Sequence, residues 1–167
     1  VTSSRLSAGV AARTTLAPER VGPKMPVEVC DTESAAFAWC SRAGALRALG
    51  RIEESVAAGK RALALRHDFA EAAINLGNAL LKLDRSEEAL QAYLRAGVAG
   101  PCLAQALLGQ ALALRGLGHF SEALAALERA EALGHRDAVA GKGCLMLTLG
   151  DFEQGLEGYE ARWLKGK

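Results

Sequence analysis

The feature that most constrains this chain is a short loop that returns at a near-constant stride. Leu49-Gly50-Arg51-Ile52-Glu53-Glu54, Leu83-Asp84-Arg85-Ser86-Glu87-Glu88 and Leu117-Gly118-His119-Phe120-Ser121-Glu122 lie 34 residues apart, and Leu149-Gly150-Asp151-Phe152-Glu153-Gln154 follows after 32. On both sides of each loop apolar residues recur at helical spacing over about 14 residues, the pattern of an αα-hairpin. One hairpin cannot bury its own apolar face, so hairpins repeated at this period must stack into a solenoid. With 50% hydrophobic but only 5% aromatic residues, the helices must close on aliphatic and small side chains.

The residues around each loop fit that reading. Gly50, Gly118 and Gly150 stand where a helix ends in a left-handed residue, and Asp84 must take the same conformation at greater cost. Acids crowd the start of the second helix (Glu53, Glu54, Glu87, Glu88, Glu122, Glu153), where the helix dipole favours negative charge. Their recurrence at one phase assigns them to helix starts, not to acid–base catalysis. Small residues recur where helices must approach: Ala43, Gly77, Ala111 and Gly143 in the first helix, Ser55, Ala89, Ala123 and Gly155 in the second. Ala62, Ala96 and Ala130 recur near its end, where the fourth copy has Arg162.

This arrangement resembles the tetratricopeptide repeat family, most fully in the second copy, Ala73-Ile74-Asn75-Leu76-Gly77-Asn78-Ala79-Leu80 through Glu87-Glu88-Ala89-Leu90-Gln91-Ala92-Tyr93, closing at Gly100-Pro101. Trp39 supplies the family's tryptophan in the first copy. Arg42, Gln110 and Lys142 depart from the family's leucine. The resemblance implies an all-α, right-handed superhelical solenoid of about four helix-turn-helix units, with repeats at about 36–69, 70–103, 104–135 and 136–165. Residues 1–32, rich in Ser, Thr, Arg and Pro, are expected to form a flexible leader ahead of a repeat domain at 33–167. The stretch Gly150-Asp151-Phe152 to Arg162-Trp163 is similar to the closing repeat of bacterial proteins in which such an array runs on into a glycosyltransferase-like domain.

Several function classes find no support. Twenty basic residues face nineteen acidic ones, a net charge of +1 without a basic stripe for nucleic acid. No apolar run reaches the roughly 20 residues of a membrane-spanning helix, so a cytoplasmic protein is expected. Cys30, Cys40, Cys102 and Cys144 are scattered without a metal-ligand pair and read as small hydrophobes. Gly141-Lys142-Gly143 lacks the hydroxyl residue and the preceding strand of a phosphate loop. His67, His119 and His135 fall in separate turns. No catalytic residue, metal or cofactor is expected.

Function is therefore expected in the concave face, which the first helices line in such a stack. By the resemblance its positions are Phe37, Cys40, Arg47, Glu71, Ile74, Asn75, Asn78, Lys82, Gln105, Leu108, Leu112 and Arg115, with Asp137, Ala140, Cys144 and Thr148 from the last copy. Asn75 and Asn78 stand out, since an amide both donates to and accepts from a peptide backbone. The expected role is a scaffold or adaptor that binds a protein or peptide segment; the alternatives are a non-catalytic recruiting arm of a glycosyltransferase-like protein and a secretion chaperone. Leu156, Tyr159, Trp163 and Leu164 place large side chains on the closing helix, which predicts self-association through a terminal repeat or docking to a neighbouring domain.

Overall fold

The computed structural model describes residues 31–97 and 102–160, and their regular structure is helical throughout. Four hairpins follow one another: α1 (Thr32–Ala48) with α2 (Ile52–Leu65), α3 (Ala70–Leu81) with α4 (Ser86–Ala96), α5 (Leu103–Gly116) with α6 (Phe120–Ala132), and α7 (Arg136–Leu149) with α8 (Phe152–Glu160). Of the expected leader only Asp31 and Thr32 are described, and they already belong to the cap and first turn of α1. Cys30, Gly100, Pro101, Arg162, Trp163 and Leu164 lie outside the described residues.

All four hairpin turns close in one way. Gly50, Gly118 and Gly150 have φ of 77°, 80° and 88°, and Asp84 takes 57° as a non-glycine residue. The next residue's N–H then reaches back across the last helical turn, from Arg51 to Leu46 O, Arg85 to Leu80 O, His119 to Leu114 O and Asp151 to Met146 O, at 2.9–3.0 Å. These bonds satisfy carbonyls that the helix end leaves open.

The second helices begin less conventionally. Arg51, Arg85 and His119 occupy the N-cap without capping through their side chains. Each instead grips the acid three residues on: Arg51 Nε donates to Glu54 at 2.6 Å, Arg85 Nε to Glu88 at 2.6 Å, and His119 Nδ1 meets Glu122 at 2.8 Å. The recurring acids thus serve the dipole and pin a side chain. Only the fourth copy uses an ordinary cap, with the Asp151 carboxylate accepting from the Gln154 N–H at 3.2 Å. Its shorter stride arises one loop earlier, where left-handed Gly134 (φ 78°) turns α6 into α7 over residues 133–135, while the α2–α3 connection needs 66–69.

Packing within a hairpin follows the small-residue register. Ala43 and Ser55 are both fully buried, and the Ser55 hydroxyl donates to Ala43 O at 2.7 Å. In the last hairpin Gly143 and Gly155 hold the same places; a Cβ on Gly143 would come 2.5 Å from Tyr159 N and 2.8 Å from Gly155 O. Ala62, Ala96 and Ala130 are buried as their recurrence suggested.

Between hairpins the joint is made by a second helix against the next first helix. Tyr93 on α4 is fully buried there. Its ring fills space left by Gly77 on α3 and Gly109 on α5, where added Cβ atoms would approach it to 2.7 and 2.2 Å. Gln110, at a position where leucine was expected, donates to Tyr93 O at 3.3 Å, and Lys142, at the equivalent position, pairs with Glu131 at 3.6 Å. α1 touches α3, α3 touches α5 and α5 touches α7, whereas among the described residues no two successive second helices touch. The stack therefore bends inward on its first helices, which form the concave wall, and spreads on the outside.

Candidate functional site

The concave wall divides into two halves of different character. In the N-terminal half, α1 and α3 bring Phe37, Arg47, Glu71, Asn78 and Lys82 to partly or fully exposed positions. Phe37 is 49% exposed, its ring edge-on to Phe69 at 4.7 Å. Two expected lining residues take another place: Cys40 and Ile74 are 2% and 3% exposed and belong to the core. Their apolar side chains turn under the helix instead of into the groove. Burial raises the Cys40 thiol above its ordinary value, with a smaller opposing effect from the Asn75 hydrogen bond.

The two asparagines are already engaged. Asn75 Nδ2 donates to Cys40 Sγ at 3.4 Å, and Asn78 Oδ1 accepts the Tyr93 hydroxyl at 2.7 Å. Desolvation pushes the Tyr93 phenol well above its ordinary value, partly offset by nearby Arg47, so the hydroxyl keeps its proton and remains the donor. Asn78 thus offers a ligand less acceptor capacity than an isolated amide, one of its two Oδ1 lone pairs being taken. The same bond holds its Nδ2 donor in a fixed orientation. Near Tyr93, Arg47 Nε is shielded from water without a hydrogen-bond partner among the described residues. A buried N–H without an acceptor costs free energy that an incoming carbonyl or carboxylate recovers.

The C-terminal half is a true concavity. Leu108, Leu112 and Arg115 from α5 and Asp137, Ala140, Gly141 and Cys144 from α7 line a hollow of 420 Å³. Gly141 lets α7 pack closely on α6, since a Cβ there would come 2.8 Å from Leu127 Cδ2. The floor is aliphatic, with Arg115 and Asp137 supplying opposite charges. Gln105 is exposed one turn before Leu108, and Thr148 folds back onto Cys144 O at 2.9 Å. Sequence reasoning named these lining side chains individually, but not that α5 and α7 bring them together around one hollow.

Among the described residues no group of potential metal ligands is assembled, and no helix is long and apolar enough to cross a membrane.

Comparison with known proteins agrees with this geometry. Residues 70–96 match the tetratricopeptide repeat family model. No curated protein matches the chain in sequence. Among solved structures, MamA (residues 41 to the end) from Desulfovibrio magneticus RS-1 superposes with a TM-score of 0.68 at 21% identity, covering 79% of this chain and 78% of that one. A further MamA structure gives 0.67 at 20% identity, covering 81% and 80%. PilW, described as a widely conserved type IV pilus biogenesis factor, gives 0.70 at 22% identity, covering 79% of this chain and 64% of that one. The described residues have the fold of a tetratricopeptide-repeat solenoid, with four helix-turn-helix units. The second repeat carries the family's sequence pattern most fully.

Proposed function

We propose that the chain is a non-catalytic interaction module that binds a segment of another protein along its concave face. The observation carrying this reading is the aliphatic hollow between α5 and α7, open to the concave side and bordered by Arg115 and Asp137. An apolar side chain of the bound segment fills the hollow. Arg47, the Asn78 amide and Lys82 then receive backbone carbonyls or carboxylates further along the groove. Such a surface reads an extended segment by a few anchors and tolerates variation between them. Helix α8, on which Phe152 and Leu156 are exposed, is a second contact surface, through which the chain associates with itself.

Leu112→Asp combined with Arg115→Glu tests the groove. Both side chains are exposed, so the helices keep their packing, which circular dichroism verifies. Loss of a buried anchor is expected to weaken capture of partners from cell extract at least about tenfold, the equivalent of about 1.4 kcal/mol. An unchanged set and yield of captured proteins contradicts the assignment.

A further inference from the structure

Each internal joint of the stack sets a second helix against the first helix of the following repeat. Helix α8 has no following helix among the described residues, and Phe152 and Leu156 on it are 67% and 55% exposed. Their counterparts one repeat back, Phe120 and Leu124, are half-buried, and Ile52 and Val56 in the first repeat are half-buried and buried. At the other end, Ala38 and Ala45 on α1 are exposed. The residues at their register in α3 and α5, Ala72 and Ala79, Ala106 and Ala113, are all 0% exposed. Helix α8 thus presents the apolar half of a joint, and α1 presents the smooth half.

Charge agrees with this complementarity. Between Ala38 and Ala45 stands exposed Arg42, its guanidinium 5.0 Å from the Trp39 ring. The same register in α7 holds Lys142, which reaches back to α6 and meets Glu131 at 3.6 Å and Glu128 at 4.0 Å. One repeat beyond Glu128 is Glu160, exposed on α8. Copying the α6–α7 joint onto α8 and α1 brings Arg42 of one molecule to Glu160 of another.

We infer that copies of this chain join head to tail, α8 of one packing on α1 of the next, with Arg42 and Glu160 across the joint. The inference rests on α8 being a contact surface and adds which surface receives it. Because the two faces differ, the contact is heterologous, and assembly does not stop at a pair.

Sedimentation velocity of the full chain over a concentration series tests it. The unmutated protein is expected to gain mass continuously past the dimer. Arg42→Glu and Glu160→Arg, each alone, are expected to require at least tenfold higher concentration for the same mass. Their equimolar mixture is expected to recover assembly, since each supplies the charge the other lacks. Phe152→Glu with Leu156→Glu is expected to remain monomeric. If that double variant is monomeric while Arg42→Glu assembles like the unmutated chain, the head-to-tail joint is wrong and α8 contacts something else. A mass that levels off at the dimer also overturns it, and a monomer at every concentration removes both readings.

Discussion

Gly109→Ala is expected to destabilise the stack by roughly 1–3 kcal/mol, the usual cost of overpacking a filled interior. The direction is informative because helix propensity alone favours alanine over glycine by about 1 kcal/mol. The new Cβ would lie 2.2–2.5 Å from three carbons of the Tyr93 ring. That ring has no retreat, since the backbone of Gly77 closes its other face and its hydroxyl is tied to Asn78. Helix α5 must therefore move away from α4, opening the central joint. Urea denaturation checks the sign, and replacing Tyr93 by leucine in the same molecule should recover much of the loss. A Gly109→Ala variant more stable than the parent would show that the ring is not wedged as described.

Gly143→Ala is expected to act differently, by releasing the last helix. Here the obstructing atoms are backbone: Tyr159 N at 2.5 Å, Gly158 C at 2.6 Å and Gly155 O at 2.8 Å. No side chain can rotate to make room, so α8 must shift as a body. It packs only on α7 among the described helices, which leaves little to hold it. In a stack whose units contact only their neighbours, such damage stays local. Hydrogen exchange should show protection lost across 152–160 by tenfold or more, with α3 to α5 unchanged. Uniform loss over all repeats, or none, would count against this picture.

How much of this was legible in the sequence depends on how far apart the interacting residues lie. The hairpin turns were fully legible, including the forced left-handed Asp84, because the phase of the loop repeats and its chemistry is local. The close approach of Gly143 and Gly155 was legible for the same reason, both lying in the recurring small-residue register. Gly109 was less so, because its register holds Ser41 and Asn75 in the first two copies and glycine again only at Gly141; its need arises from Tyr93, sixteen residues earlier on another helix. The asparagines show the same limit. Asn75 and Asn78 read as free groove amides until Cys40 and Tyr93, 35 and 15 residues away, engage them. Cys40 and Ile74 were assigned to the groove by position in the repeat, but a single helical turn carries lining and core residues side by side. Arg42 and Lys142 looked like departures from a leucine position. Lys142 proves to be an ion-pair position at a joint between repeats.

Site-specific photo-crosslinking in cells compares the two faces most directly, with a benzophenone side chain placed either at Leu112 in the concave hollow or at Leu94 on the outer face. Leu94 is the more exposed of the two, 49% against 36%, so accessibility alone favours adducts there. Discrete protein adducts from position 112, and none from position 94, are the expected result. Adducts from position 94 with none from 112 would place binding on the convex side and contradict the account.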